Sequence, residues 1–194
     1  DKETLKDKLS YYTALSPQLI ENKNYRISVY DFVTELLPDK NIGLLDARIT
    51  GLTVPPARGY QDPAYYKMKP IFTTALNTYL LTQLNLDYTK PYEILSKNAN
   101  RQWQWNTEQG YTNLTRRLAQ AIAKNPNLKI FAAMGYYDLT TPYTTQLHTL
   151  NHLNIKPENK NIKTQTYKSG HQIYNDPTYL KKLKTNIKTY LTEF

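Results

Sequence analysis

The chain has 194 residues, and its hydrophobic content of 40% is typical of a folded protein that buries a sizeable core. It contains no cysteine, which excludes disulfides, thiolate catalysis and cysteine-ligated zinc. The net charge of +9 comes from scattered lysines without an arginine-rich run or a known nucleic-acid motif, so it favours a solvated basic surface. No apolar run approaches the roughly 18 residues of a membrane span. No signal-peptide pattern is recognisable at the start, which leaves open both the cytoplasm and export with the signal removed.

Residues 1–100 alternate short helical patterns with irregular stretches. Helices are predicted near the start and after Ser16, where Pro17 occupies the first helical position. Several glycines and prolines then predict a long loop or linker: Gly51, Pro55, Pro56, Gly59, Pro63 and Pro70. The clearest helix of this part follows, with a predicted apolar stripe of Ile71, Leu76, Leu80 and Leu84.

From about residue 101 the pattern becomes a regular alternation of helices and strands. A helix with Leu114, Leu118 and Ile122 on one face precedes a strand at 128–134, predicted to be buried on both faces. A helix from Pro142 to about Leu153 and a strand at 162–168 come next. The last helix has Asp176 as its cap and a predicted stripe of Leu180, Leu183, Ile187 and Leu191. This order predicts an open α/β sheet with the two strands as parallel neighbours.

Asp138 and His171 each follow the end of one of these strands, and the carboxyl ends of parallel strands meet at one edge of a sheet. An acid that accepts from one imidazole nitrogen fixes the tautomer and stabilises the imidazolium formed during catalysis. Nearby glycines suit the tight turns that such side chains require. The plainer interpretation is that Asp138 caps the helix starting near Thr141 and that His171 is a loop histidine.

The order acid then histidine, late in the chain, is that of an α/β-hydrolase. The segments "GYYDLTTPYTTQLHTLNHL" and "YKSGHQIY" resemble the end of the serine carboxypeptidase family, particularly its cysteine-poor bacterial members. The resemblance implies the C-terminal part of an α/β-hydrolase sheet at 101–194, and a mainly helical cap-like or lid-like region with a linker at 1–100. It also implies that Asp138 is the triad acid and His171 the triad base. Gln172 departs from the methionine often found at that position in the family.

The nucleophile of such a triad is missing from this sequence. No serine lies in a G-x-S-x-G frame, and Ser169 is too close to His171 in the chain to present its hydroxyl to the ring in the usual way. The resemblance implies that an upstream segment supplies the serine and the oxyanion hole, and that this segment is the chain's partner. It further implies a peptide substrate, an exported enzyme and no cofactor. An isolated chain would be inactive and would leave the outer edge of its first core strand open.

Other interpretations are weaker. His148 and His152 have the i, i+4 spacing of metal ligands, but no third ligand is evident, so no metal is expected. Trp103 and Trp105 are expected to pack rather than to bind substrate. The competing class of function is a non-enzymatic, basic, tyrosine-rich fragment that binds an acidic partner or nucleic acid. A hydrogen bond between Asp138 and His171 would favour the hydrolase, whereas a wide separation of the two residues would favour the binding fragment.

Overall fold

A computed structural model of the chain describes residues 1–53, 59–86, 90, 92–104, 112–155 and 161–192. Pro55, Pro56 and Trp105 therefore lie outside the described residues. Within these ranges the helices are α1 (Lys2–Thr13), α2 (Pro17–Asn22), α3 (Val29–Glu35), α4 (Pro63–Thr82), α5 (Lys97–Gln102), α6 (Thr115–Lys124), α7 (Tyr143–Asn151) and α8 (Pro177–Thr192). The strands are β1 (Lys40–Ile42), β2 (Thr50–Leu52), β3 (Ile130–Gly135) and β4 (Ile162–Tyr167). This mixture of helices and strands is compatible with an α/β protein.

The strands form two small sheets. β1 and β2 pair antiparallel, whereas β3 and β4 pair parallel, with Ile130 opposite Ile162 and Gly135 opposite Tyr167. Helix α7 lies between β3 and β4 in the chain, which is the connection that a parallel pair requires. The predicted parallel neighbours are therefore confirmed. Both strands end at the same edge, and the loops that follow them carry Asp138 and His171.

The prediction that the first core strand is buried on both faces is wrong in part. β3 begins at Ile130, two residues later than predicted, and only Met134 and Gly135 at its end are fully buried. Leu128, Ile130 and Ala132 are half-buried. Within the described ranges β3 has a single neighbouring strand, so it is not enclosed as a strand in the centre of a parallel sheet is.

The core beside this sheet is built by the helices before and after β3. Ile122 of α6, Leu150 of α7 and Leu153 just after α7 are buried together. The half-buried residues packed against them come from α6, β3, β4 and the adjoining loops: Leu118, Leu128, Ile130, Ala132, Ile155 and Ile162. Leu114, predicted to share the buried face of α6, is instead exposed at the N-terminal end of that helix.

Helix α8 packs through a different face from the one predicted. Leu180, Ile187 and Leu191 are exposed, and the buried residue is Tyr190. The Tyr190 ring lies 5.6 Å from that of Phe131 on β3, and its hydroxyl donates to the carbonyl of Asn161. A tyrosine suits this place because it buries a large ring while its hydroxyl finds an acceptor. A prediction based on the spacing of leucine and isoleucine residues alone therefore misses the face of α8 that Tyr190 buries.

The region predicted as a long loop contains ordered elements. β2 occupies Thr50–Leu52, and α4 begins at Pro63 because Asp62 accepts from the N–H groups of Ala64 and Tyr65 as its cap. Pro70 lies inside this helix, where it lacks the N–H that an interior helical residue donates. The prediction of a linker at both prolines is therefore wrong, because a proline at the first helical position favours the start of a helix.

Candidate active site

The structure brings Asp138 and His171 into contact. The Oδ2 atom of Asp138 lies 2.8 Å from Nδ1 of His171, although the two residues are 33 positions apart. Asp138 is 4% exposed, whereas the side chain of His171 is 41% exposed. The pair therefore has a buried acid behind an imidazole that solvent and other molecules can reach.

The two carboxylate oxygens of Asp138 have different partners. Oδ1 accepts from the backbone N–H groups of Thr140 and Thr141 at 2.8 and 2.9 Å. Oδ2 accepts from the hydroxyl of Thr141 at 2.5 Å and from the ring of His171. One oxygen thus organises the turn before α7, and the other orients the histidine. The interpretation that Asp138 caps the following helix is wrong, because α7 begins at Tyr143 with Pro142 as its N-cap and has no side-chain cap hydrogen bond. The catalytic role of the pair stays a prediction.

The contact shifts the titration of both groups. Burial alone would raise the pKa of Asp138, but hydrogen bonds from His171 and Thr141 outweigh burial and hold that pKa below its ordinary value. The hydrogen bond to Asp138 raises the pKa of His171, against the opposing effect of burial. With Asp138 ionised, Nδ1 carries the hydrogen that is donated, and Nε2 of neutral His171 carries the free lone pair. This is the tautomer of a general base.

Two glycines allow the loops to come this close. A Cβ atom on Gly135 would lie 2.2 Å from the carbonyl oxygen of Gly170, and one on Gly170 would lie 2.5 Å from the carbonyl oxygen of Leu45. Neither glycine has a positive φ angle. These glycines are therefore needed because a side chain would not fit where two backbone segments touch, and not because a turn requires a positive φ angle.

A segment far upstream, Leu44–Arg48, connects the two loops, and sequence reasoning did not assign it to the site. The carbonyl of Leu45 accepts from the N–H of His171 at 2.7 Å, and that of Leu44 accepts from Leu139 at 3.0 Å. The N–H of Ala47 donates to the carbonyl of Tyr137 at 2.9 Å. These bonds join backbone groups about 90 to 126 positions apart, which no local pattern reveals.

Asp46 and Arg48 pair with each other. The guanidinium binds both oxygens of Asp46, with Nε–Oδ1 at 2.9 Å and a terminal nitrogen at 2.7 Å from Oδ2. Its other terminal nitrogen donates to the carbonyl of Lys168, and its carbon lies 5.1 Å from the centre of the Tyr137 ring. Arg48 therefore links Leu44–Arg48 to the loops of both strands.

Gln172, the departure from the resembling family, also has defined partners. Its amide nitrogen lies 3.5 Å from the sulfur of Met68 on α4, and its oxygen accepts from Asn175 at 2.9 Å. The residue next to the histidine is thus held by a helix of the first half of the chain. The division at residue 100 stays a prediction, and contacts of the site cross it.

The other candidates that the structure describes are the histidine pair at the end of α7, Trp103 and the serines. The rings of His148 and His152 stack with centres 4.0 Å apart, and no group of three or more metal-ligating residue types is found within the described residues. Trp103 is 65% exposed. Ser16, Ser28 and Ser96 cap helices, and Ser169 is buried. None of these four serines is hydrogen-bonded to the imidazole of His171.

Comparisons with known proteins give a distant relationship. The protein named Serine carboxypeptidase-like 36 from Arabidopsis thaliana is 24% identical over 143 residues, which cover 73% of this chain. The chain spans about a quarter of the length of that protein, 27%. No family model matches the sequence, and no solved structure matches it. In the described part of the chain, no helix is long and apolar enough to cross a membrane. The chain is thus a mixed helix and strand protein, compatible with the α/β class and distantly similar to a serine carboxypeptidase-like protein.

Proposed function

We propose that this chain supplies the acid and the base of a serine-type carboxypeptidase, and that an upstream segment supplies the nucleophilic serine. The observation that carries the proposal is the 2.8 Å contact between Asp138 Oδ2 and His171 Nδ1, with the acid buried and the ring accessible. In this mechanism Nε2 of His171 takes the proton of the serine hydroxyl as the oxygen attacks the peptide carbonyl. Asp138 holds the imidazolium that results, and His171 then protonates the leaving amine.

The position of the pair supports a contribution from another segment. Within the described residues, β3 is hydrogen-bonded to β4 alone, which leaves its other edge available for a further strand. The similar plant protein is almost four times as long as its matched part, so it has room for a nucleophile segment outside the match. We further propose that the complete enzyme is exported, as the family resemblance implies.

A groove beside the pair offers a place for a peptide. It has a volume of about 680 Å³ and lies between the loop after β3 and the region of α4 and α5. Its walls include Leu44, Leu45 and Leu95, together with Arg101 of α5 and Thr140, whose backbone N–H donates to Asp138. Apolar walls with a few polar groups are typical of sites that bind organic ligands.

The alternative, a basic fragment that binds an acidic partner, has one feature in its favour. Lys181, Lys184 and Lys188 are exposed and share one face of α8 by helical spacing. A solvated face of a basic helix needs no partner, whereas a buried acid bonded to an accessible imidazole is what acid–base catalysis requires. The pair therefore favours the hydrolase.

The experiment is reconstitution with the upstream coding region. The 194-residue chain alone should release no amino acid from an N-blocked dipeptide, because removing the nucleophile of a triad removes nearly all of its rate. Co-expression with the upstream segment should give activity, and a fluorophosphonate probe should label that segment. Labelling of one of the serines of this chain at the rate of turnover would refute the assignment, as would an upstream region without a nucleophilic serine.

A further inference from the structure

Thr141 touches both members of the pair. Its hydroxyl donates to Oδ2 of Asp138 at 2.5 Å, and the same oxygen lies 3.3 Å from Nδ1 of His171. Its backbone N–H donates to Oδ1 of Asp138 at 2.9 Å. Thr141 therefore contacts both carboxylate oxygens as well as the ring. We propose that Thr141 is a positioning residue, whose hydroxyl fixes the carboxylate of Asp138 and keeps the shared proton on His171. The inference rests on the proposed function.

The carboxylate of Asp138 has a full set of hydrogen-bond donors around it. An ionised carboxylate offers about four acceptor positions, two on each oxygen. At Asp138 two backbone N–H groups occupy Oδ1, while the hydroxyl of Thr141 and the N–H of His171 occupy Oδ2. All four positions are filled. Rotation of the carboxylate, or proton uptake by Oδ2, would break at least one of these bonds.

The backbone around Thr141 is restrained. Pro142 follows it and is the N-cap of α7, and a residue before proline is kept out of the helical region by the proline ring. The amide of Gln146 also donates to the carbonyl of Thr141 at 2.8 Å. Pro142 and the amide of Gln146 therefore both restrain the turn that carries the Thr141 hydroxyl. Because the turn is already restrained, little conformational entropy is lost when the hydroxyl bonds to Asp138.

The test measures the titration of Asp138 in the 194-residue chain, so it needs no enzymatic activity. We compare Thr141→Val, which removes the hydroxyl but keeps the branched shape, with Thr141→Ser, which keeps the hydroxyl. Carboxyl ¹³C NMR should show the pKa of Asp138 raised by roughly half to one pH unit in Thr141→Val, the size expected for one lost hydrogen bond. Thr141→Ser should restore the ordinary titration of this chain.

Thr140→Val is the matched control, because Thr140 binds Asp138 through its backbone N–H, which valine retains. Its titration should equal that of the unmodified chain. If Thr141→Val does not fold, Thr141→Ala takes its place. An unchanged Asp138 titration in the folded variant, or an equal shift in Thr140→Val, would overturn the proposal.

A second measurement separates this inference from the proposed function. In the reconstituted enzyme, Thr141→Val should lower kcat about fivefold to tenfold with KM unchanged, because the lost bond acts on the base and not on substrate binding. A general loss of stability would lower the active fraction and would not change the titration of Asp138. Failure to obtain activity with any upstream segment would refute the carboxypeptidase assignment while leaving the NMR result intact. A shift in titration without a change in kcat would refute the role in catalysis.

Discussion

The loops after β3 and β4 contrast with the second half of helix α4. In the loops, Asp138 and Ser169 are almost fully buried although they are polar, and backbone bonds from Leu44–Arg48 hold both loops. In α4, the buried residues are Ala64 and Met68 near its start, whereas Ile71 near its middle and Leu81 in its second half are exposed although they are apolar. The comparison teaches that position in the fold, and not residue polarity, decides burial here. The positions of side chains and backbone groups are therefore more strictly constrained in the loops than in α4.

The largest effect is expected from Asp138→Asn in the reconstituted enzyme. The N–H groups of Thr140 and Thr141 would keep the asparagine oxygen in the place of Oδ1, so its NH₂ group would face His171. Nδ1 would then accept a hydrogen bond and Nε2 would carry the hydrogen, which is the wrong tautomer for a base. We expect kcat to fall on the order of 10⁴-fold with the fold retained. Retention of activity within tenfold would contradict the assigned role.

Gly135→Ala should cause the largest loss of stability. The new Cβ would meet the backbone of Ser169 and Gly170, which cannot move away as a flexible side chain can. We expect the free energy of unfolding to fall by about 3 kcal/mol, near the upper end for overpacking. Urea unfolding measures the loss. Gly59→Ala is the control, because its Cβ meets open space and only the positive φ angle costs about 1 to 2 kcal/mol. Equal losses would show that the contact between the loops is not tight.

Arg48→Met tests the link between Leu44–Arg48 and the loops. It removes the two bonds to Asp46, the bond to the carbonyl of Lys168 and the contact with Tyr137. The guanidinium is partly exposed, so we expect a loss of about 1 kcal/mol in the free energy of unfolding. Arg48→Lys should recover little of it, because an ammonium group lacks the planar fork. Full recovery by lysine would mean that charge alone is needed.

The pair of Asp138 and His171 should make stability depend on pH. The pKa of His171 is raised on folding, so its contribution is present below its unfolded pKa and is lost as pH rises through the folded value. The pKa of Asp138 is lowered, so its contribution is present above its unfolded pKa and is lost as pH falls through the folded value. The pair should therefore stabilise most between about pH 4 and 6.5.

The measurement is the free energy of unfolding from pH 3 to 9 for the chain and for His171→Gln. The difference between them should be greatest in that window and should amount to about 1 kcal/mol or less, because the ring is partly exposed to solvent. In an Asp138→Asn background the maximum should disappear. A difference that rises steadily above pH 7 would have the wrong sign and would contradict the proposed titrations.

The smallest effect is expected in α4. Ile71 is 65% exposed, so Ile71→Ala should change the free energy of unfolding by no more than about 0.5 kcal/mol. Met68→Ala, one turn earlier, should cost about 2 kcal/mol or more, because Met68 is buried and contacts Gln172. Thermal unfolding of the two variants checks the contrast. Equal costs would show that α4 is as closely packed at Ile71 as at Met68.

Much of the fold was predictable from local patterns. Helical spacing and capping residues located α2, α6, α7 and α8, and Asp176 caps α8 as its position before Pro177 indicates. The wrong predictions have physical causes. Pro63 begins a helix that a glycine- and proline-rich context concealed, and α8 buries Tyr190 in place of the leucines that spacing favoured. Periodicity identifies an element, but its neighbours decide which face is covered.

For the candidate site too, part was predictable from the sequence and part was decided by the tertiary structure. The sequence by itself placed Asp138 and His171 after two adjacent parallel strands, and strand polarity then requires that their loops share one edge of the sheet. Only the tertiary structure decided that the two side chains are in hydrogen-bond contact, that Thr141 completes the carboxylate's partners, and that Leu44–Arg48 holds both loops. The reason is that hydrogen bonds between backbone groups some 90 to 126 positions apart depend on how the chain is packed. Backbone groups are the same in every residue except proline, so no pattern of side chains records which of them will meet.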